Sequence, residues 1–144
     1  MLYNQHIMEF DYNELIEEAY KDLPEKNETT ERFEIPKVKG HIQGNKTIIS
    51  NFIAISDTLR REPGHLLKFL QRELATPALI DGPRLVLGRK LSASIINTKV
   101  KQYTEAFVLC SECKKPDTQL MKEDRISILK CTACGAKHPI RAKI

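Results

Sequence analysis

The apolar positions change their spacing along the chain. Between Asp11 and Leu23, Tyr12, Leu15, Ile16, Ala19, Tyr20 and Leu23 recur at i, i+3, i+4, i+7, i+8 and i+11, while Glu14, Glu17, Glu18, Lys21 and Asp22 fall off that stripe. This period predicts one amphipathic helix. Asp11 is placed to cap it, Glu14 to close a capping box and Pro24 to stop it. From Glu25 to Glu34 the pattern disappears into charged and polar residues with almost nothing to bury, which reads as a linker. A helix of about three turns is marginal alone in water, so this one needs a surface to lie on, and the linker allows that surface to be remote.

The block from 36 to 104 alternates its periods. Val38 to Ile42 and Thr47 to Ile49 read as short strands around a turn at Gly44-Asn45. Asn51 to Arg61 has Phe52, Ile55 and Leu59 on one helical face, and Pro63 opens a second helix that buries Leu66, Leu67, Leu70 and Leu74. Ala78 to Leu87 reads as a hairpin around Asp81-Gly82-Pro83. Ser92 then caps a longer helix whose inner side is Ile95, Ile96, Val100, Tyr103 and Phe107. About 70 residues of this kind just support a small α/β core.

After Val108 the chain is strand-like, rich in turns and punctuated by cysteine. Cys110-x2-Cys113 and Cys131-x2-Cys134 are separated by 17 residues, the spacing of a zinc site. Each pair closes a tight turn that aims two thiolates at one point, and two such turns supply a tetrahedron. Gly135 lets the second turn approach its sulfurs closely. With strands at Thr118 to Lys122 and Ser127 to Lys130, and Leu109, Leu120 and Leu129 as a thin core, the unit reads as a zinc ribbon. Four thiolates fill one Zn²⁺ completely, so the ion is structural and His138 is a surface residue rather than a ligand. The expected fold class is therefore α+β: an N-terminal helix (1–24), a charged linker (25–35), a central α/β domain with a short sheet packed by helices (36–104) and a zinc ribbon (105–144).

Charge divides the 144 residues unevenly. The formal total of +4 combines 3 basic against 10 acidic side chains in residues 1–35 with 20 against 9 in the rest. An acidic arm is joined to a basic body, and a basic body suits a polyanionic partner. Zn²⁺ with four thiolates carries −2, which lowers the total to about +2. Candidate nucleic-acid contacts are Arg60, Arg61, Lys68 and Arg72 in the central domain and Lys114, Lys115, Lys137 and Arg141 in the ribbon. No apolar run reaches the roughly 18 residues of a membrane span, and the N-terminus lacks a signal pattern, so a cytoplasmic protein with no membrane partner is expected.

Motifs for catalysis fail. Gly40 to Thr47 departs twice from the phosphate-loop spacing, and His6, His41 and His65 stand singly without a partner to form a nucleophile. The helices Asn51–Arg61 and Pro63–Leu74 admit one other reading, a helix-turn-helix that would join the ribbon in a DNA-binding transcription factor.

An ordered set of segments narrows the choice. Thr47-Ile-Ile-Ser-Asn-Phe52, Leu59-Arg-Arg61, Leu67-Lys-Phe-Leu-Gln-Arg-Glu-Leu-Ala-Thr76, Gly82-Pro-Arg-Leu-Val-Leu-Gly88, Cys110-x2-Cys113, Pro116-Asp-Thr118 and Lys130-Cys-Thr-Ala-Cys-Gly135 follow one another. Over about residues 11–140 the chain resembles the beta subunits of archaeal translation initiation factor two, a family that includes initiation factor five. The resemblance implies a non-catalytic member of a heterotrimer with alpha and GTPase gamma subunits, which delivers methionylated initiator tRNA to the small ribosomal subunit. It implies that the N-terminal helix docks on the gamma subunit, which makes Tyr12, Leu15, Ile16, Ala19, Tyr20 and Leu23 the anchors. The lysine blocks of the eukaryotic extension are missing, which fits the archaeal form. Residues 1–31 contain no Arg, which argues against the GTPase-activating role of factor five.

Overall fold

The computed structural model describes residues 11–22 and 33–141. The chain divides into two compact units, Met1–Arg32 and Phe33–Ile144. In the first, α1 runs from Tyr12 to Asp22. The Asp11 carboxylate caps it by accepting the Asn13 N–H at 3.0 Å, which satisfies one of the donors a helix start leaves free. No residue of α1 is buried. Leu23 and the stop expected at Pro24 lie outside the described residues.

The second unit is α+β. Strands β1 (Gly40–Gln43) and β2 (Lys46–Ile49) form one hairpin, and β3 (Ala78–Asp81) and β4 (Arg84–Leu87) another. The hairpins join through β2 and β4 into an antiparallel sheet of order β1-β2-β4-β3. Alternation along each strand puts Thr47, Ile49, Leu85 and Leu87 on one face, where they are buried. Helices α2 (Phe52–Thr58), α3 (Pro63–Leu74) and α4 (Ala93–Phe107) supply the rest of that core through Phe52, Ile55, Leu66, Phe69, Leu70, Ile96, Val100, Tyr103 and Phe107.

Helices α2 and α3 both end on a left-handed residue. Arg60 (φ +52°) and Ala75 (φ +46°) each follow the last turn, and the next residue's N–H reaches back five positions, from Arg61 to Ser56 O and from Thr76 to Gln71 O. This is the Schellman arrangement, which satisfies carbonyls that a helix end would leave bare. It also turns the side chain of Arg61 inward.

Two helical faces are shifted from the expected ones. Ile95 is 47% exposed, because the stripe that packs is Ile96, Val100, Tyr103, Thr104 and Phe107, and Ile95 stands about 100° off its line. In α3, Phe69 rather than Leu67 completes the buried set. Val38 is buried but precedes β1, held by its N–H to Asn97 Oδ1 at 2.8 Å. The chain from Cys110 onward makes a second antiparallel sheet, β5 (Thr118–Glu123), β6 (Ile126–Cys131) and β7 (Lys137–Pro139). The third of these strands is one that periodicity did not suggest, since three residues carry no pattern.

Candidate metal centre and the Arg61 clasp

The two cysteine pairs sit on matched turns. Lys114 N–H bonds Cys110 O, and Cys110 N–H bonds Lys115 O, both at 3.1 Å; Gly135 N–H bonds Cys131 O at 3.1 Å, and Cys131 N–H bonds Ala136 O at 2.8 Å. The residue after each pair is left-handed, Lys114 at φ +59° and Gly135 at φ +76°. The four Sγ atoms consequently gather within 4.8 Å of one another, with Cys110 to Cys134 at 3.6 Å and Cys113 to Cys131 at 3.5 Å. A tetrahedron with metal–sulfur bonds of about 2.3 Å has edges of roughly 3.8 Å, so the cluster already has the size of a four-cysteine zinc site.

Its electrostatics also fit a cation. The Cys134 N–H, 3.4 Å from Cys131 Sγ, is the main reason that the Cys131 thiol is lowered to about 7. Cys110 is lowered as well, chiefly by the Cys113 N–H. Cys134 is pushed up to about 12, since desolvation and the other three sulfurs outweigh the Ala136 N–H that favours its thiolate. Sulfurs this close ionise together only against a positive charge, which a divalent ion held by all four would supply. His138 is separate from the cluster, opposite Leu129 in the β6–β7 ladder.

Arg61 occupies the junction between this unit and the helices. It is only 7% exposed, and its five N–H groups are all used. Nε and Nη2 donate to Phe107 O at 3.0 and 2.8 Å, Nη1 to Arg60 O and Thr118 O at 2.9 Å each, and Nη2 to Thr118 Oγ1 at 2.6 Å. The Thr118 hydroxyl in turn donates to Val108 O. No carboxylate among the described residues pairs with the guanidinium; the acceptors include the terminal carbonyl of α4, where the helix dipole is negative. Burial lowers the Arg61 pKa, partly offset by Tyr103, and an arginine still remains charged. The expectation that Arg61 meets nucleic acid is therefore corrected: it has no donor left for a phosphate.

The same junction gives His65 a partner. Its Nδ1 lies 2.8 Å from Tyr103 Oη, and Phe107 meets the ring edge-on at 5.2 Å. With Arg61 buried and His65 bound internally, the corner of α2 and α3 loses two of the groups that a recognition helix would present. Arg60 is exposed and pairs with Asp117 at 3.3 Å, while Lys68, Arg72, Lys114, Lys115, Lys137 and Arg141 are exposed on α3, the first cysteine turn and the end of the ribbon. On α1, Tyr12 and Tyr20 are 73% and 72% exposed, Leu15 and Ala19 exposed and Ile16 half-buried. No helix among the described residues is long and apolar enough to cross a membrane.

Thr118 and the His65–Tyr103 pair were not singled out by sequence reasoning. Thr118 belongs to the run Pro116-Asp-Thr118, but its meeting with Arg61, like that of His65 with Tyr103, depends on the fold.

Comparison with known proteins is decisive. Residues 24–137 match a family described as a domain found in initiation factors 2B and five. The translation initiation factor 2 subunit beta of Methanosphaera stadtmanae is 47% identical over 132 residues, covering 92% of this chain and 93% of that one. The protein of the same name from Methanopyrus kandleri is 47% identical over 135 residues, 94% and 98% of the two chains, and that from Methanococcus aeolicus 45% identical over 132 residues, 92% and 95%. A cysteine cluster, a sheet packed by helices and an unburied N-terminal helix thus come together in a chain that belongs to the beta-subunit family of translation initiation factor 2, as a non-catalytic subunit.

Proposed function

We propose that the chain works in the cytoplasm as the archaeal form of this subunit, joined to a GTPase gamma subunit and through it to an alpha subunit. In that assembly it takes part in the GTP-dependent delivery of methionylated initiator tRNA to the small ribosomal subunit. The N-terminal segment 1–24 is the docking helix, with Tyr12, Leu15, Ile16, Ala19, Tyr20 and Leu23 as its anchors and 25–35 as its linker. The observation that carries this reading is the stripe on α1: two tyrosines and a leucine stand exposed along one face of an acidic helix. Such a face gains most of its stability by burial in a partner's groove.

The cysteine centre holds one structural Zn²⁺ through Cys110, Cys113, Cys131 and Cys134. The ion fixes the ribbon (105–144) beside the central domain (36–104) and leaves no coordination position for chemistry. Arg60, Lys68, Arg72, Lys114, Lys115, Lys137 and Arg141 remain candidates for RNA contact, by exposure and charge; Arg61 is withdrawn.

Calorimetry with a purified archaeal gamma subunit tests the reading, using the full chain and a version lacking residues 1–24. Tight binding that disappears on truncation is expected. Equal binding by both, or by neither, would overturn the assignment of the helix.

A further inference from the structure

The four-stranded sheet has a second face that α2, α3 and α4 do not cover. Its pairing register lines up His41 with Ile48, Ile48 with Val86 and Val86 with Leu79, so these four form one row across all the strands. They alternate with the buried set and point away from it. Leu79 is 69% exposed and His41 is exposed.

Cations border this row on both sides. At one end are Lys46 and, in the segment after β4, Arg89 and Lys90. That segment is held from the covered face, where the Thr47 hydroxyl donates to Arg89 O at 2.8 Å and accepts the Leu91 N–H at 2.9 Å, so alternation places Lys46 on the open face while Arg89 and Lys90 stand exposed at the rim beyond it. At the other end are Lys37, Lys39 and Arg84. The Asn51 side chain fixes the first two by donating to Lys37 O at 2.9 Å and accepting the Lys39 N–H at 2.8 Å. Lys39 and Arg84 flank Ser50 from the two neighbouring strands, as the register of β1, β2 and β4 requires. All six side chains are exposed, and none of them forms an ion pair among the described residues.

Charge is concentrated on this element. Residues 36–50 and 78–91, which build the sheet, carry these six basic side chains and one acidic one, Asp81, a net of +5. The ribbon segment 105–144 has 8 basic and 5 acidic, a net of +3, which a Zn²⁺ held by four thiolates lowers to about +1. The sheet is therefore the most strongly positive surface of the body, although none of its cations stood out in the sequence.

We propose that this open face is a binding site for helical RNA, which its two cationic banks grip by the sugar–phosphate strands on either side of a groove. The banks are four strand residues apart, roughly 14 Å, with a shallow strip between them. That layout suits the wide, shallow minor groove of an A-form duplex, which is read by shape and phosphate contacts. A single strand would require successive aromatic platforms for its bases, and the row offers one such ring, His41. An acidic protein would require a buried anchor pocket, and the row offers three aliphatic side chains, two of them already half-buried. The inference rests on the initiation-factor reading only for the source of the RNA.

Fluorescence anisotropy of a labelled 20-base-pair RNA duplex against the full, metal-loaded chain over a KCl series tests it. Lys39→Ala, Lys46→Ala, Arg84→Ala and Arg89→Ala together should weaken binding at low salt at least tenfold and reduce the log–log salt slope by about four. The same four positions changed to the other basic residue (Lys39→Arg, Lys46→Arg, Arg84→Lys, Arg89→Lys) should keep the wild-type slope. Removal of four cations elsewhere, Lys101→Ala, Lys122→Ala, Arg125→Ala and Lys130→Ala, should cost less than the sheet variant. Equal losses in these two alanine variants, or an unchanged slope in the sheet variant, would overturn the proposal. So would tighter binding of a poly-glutamate peptide than of RNA by the full chain. Binding of the gamma subunit by the sheet variant is measured in parallel: its retention with no RNA effect sinks the RNA site alone, whereas loss of gamma binding by the wild-type chain sinks the wider reading and leaves the RNA result standing.

Discussion

Arg61 and Thr118 are 57 positions apart and meet through two hydrogen bonds, from Nη1 to the Thr118 carbonyl and from Nη2 to its hydroxyl. Thr118 stands opposite Cys131 in the β5–β6 ladder, and its hydroxyl also bonds Val108 O, two residues before Cys110. One buried cation thus links the end of α2, the end of α4 and both cysteine turns. The ribbon is held to the helices by this polar clasp beside the apolar contact that Ile140 makes with the central core.

Arg61→Met should cost about 3 kcal/mol of stability, because Phe107 O and Thr118 O would be left buried without donors. Arg61→Lys should recover only part of it, since an ammonium presents three donors from one point while the native acceptors lie around a planar fork. Urea unfolding at fixed zinc measures both. A loss below about 1 kcal/mol for the methionine variant would mean that water satisfies these carbonyls and the clasp is dispensable.

Metal removal should act beyond the ribbon. Chelation, or Cys131→Ser, removes the binding energy that folds this small sheet, and with it the register that presents Thr118 to Arg61. Amide exchange should become fast throughout β5–β7, while α2 and α4 lose part of their protection but stay folded on the core of Phe52, Leu66, Leu85 and Phe107. Unchanged exchange in β5–β7 would show that the cysteines are not the ribbon's support.

The parts of this architecture that could be read from sequence are those set by local spacing. The C-x2-C pairs specify their own turns, the two hairpins their Gly-containing corners, and α1 its stripe of Tyr12, Leu15, Ile16 and Tyr20. What could not be read depends on contacts between distant elements. Arg60 and Arg61 are adjacent and chemically identical, yet a left-handed residue at the end of α2 sends one outward and the other into the core. Ile95 and Ile96 differ only by about 100° of rotation, and tertiary packing decides between them. The cationic banks of the sheet draw on Lys37, Lys39, Lys46, Arg84, Arg89 and Lys90, and only the β2–β4 pairing brings those two stretches together.

Acidification should destabilise the body through His65. Burial is the largest cause of its lowered pKa, with Arg61 and Lys68 adding to it and Glu62 opposing. The unfolded chain therefore binds the proton more readily, so stability is complete above the ordinary histidine value near 6.5 and falls as pH drops from there through the folded value. His65→Gln keeps a hydrogen-bonding group for Tyr103 and removes the titration. Melting temperatures between about pH 8 and 5.5 with zinc in excess should decline more for the wild-type chain than for this variant, and parallel curves would assign the acid sensitivity to other groups.

The matched cysteine turns permit a test by opposite signs. Lys114 and Gly135 occupy equivalent left-handed positions, at φ +59° and +76°, and only glycine adopts this conformation without steric cost. Gly135→Ala should therefore destabilise the metal-loaded ribbon by about 1 kcal/mol. Lys114→Gly should be neutral to stabilising by a few tenths of a kcal/mol, because relief of strain competes with the greater freedom of glycine in the unfolded chain. Lys114→Ala separates charge from conformation, since it removes the cation near the thiolates and keeps the strain. Competition with a zinc chelator ranks the four proteins. The order expected is Lys114→Gly at or above wild type, then Lys114→Ala, then Gly135→Ala. Weaker zinc binding by Lys114→Gly than by Lys114→Ala would show that residue 114 carries no conformational strain and that the two turns are not equivalent.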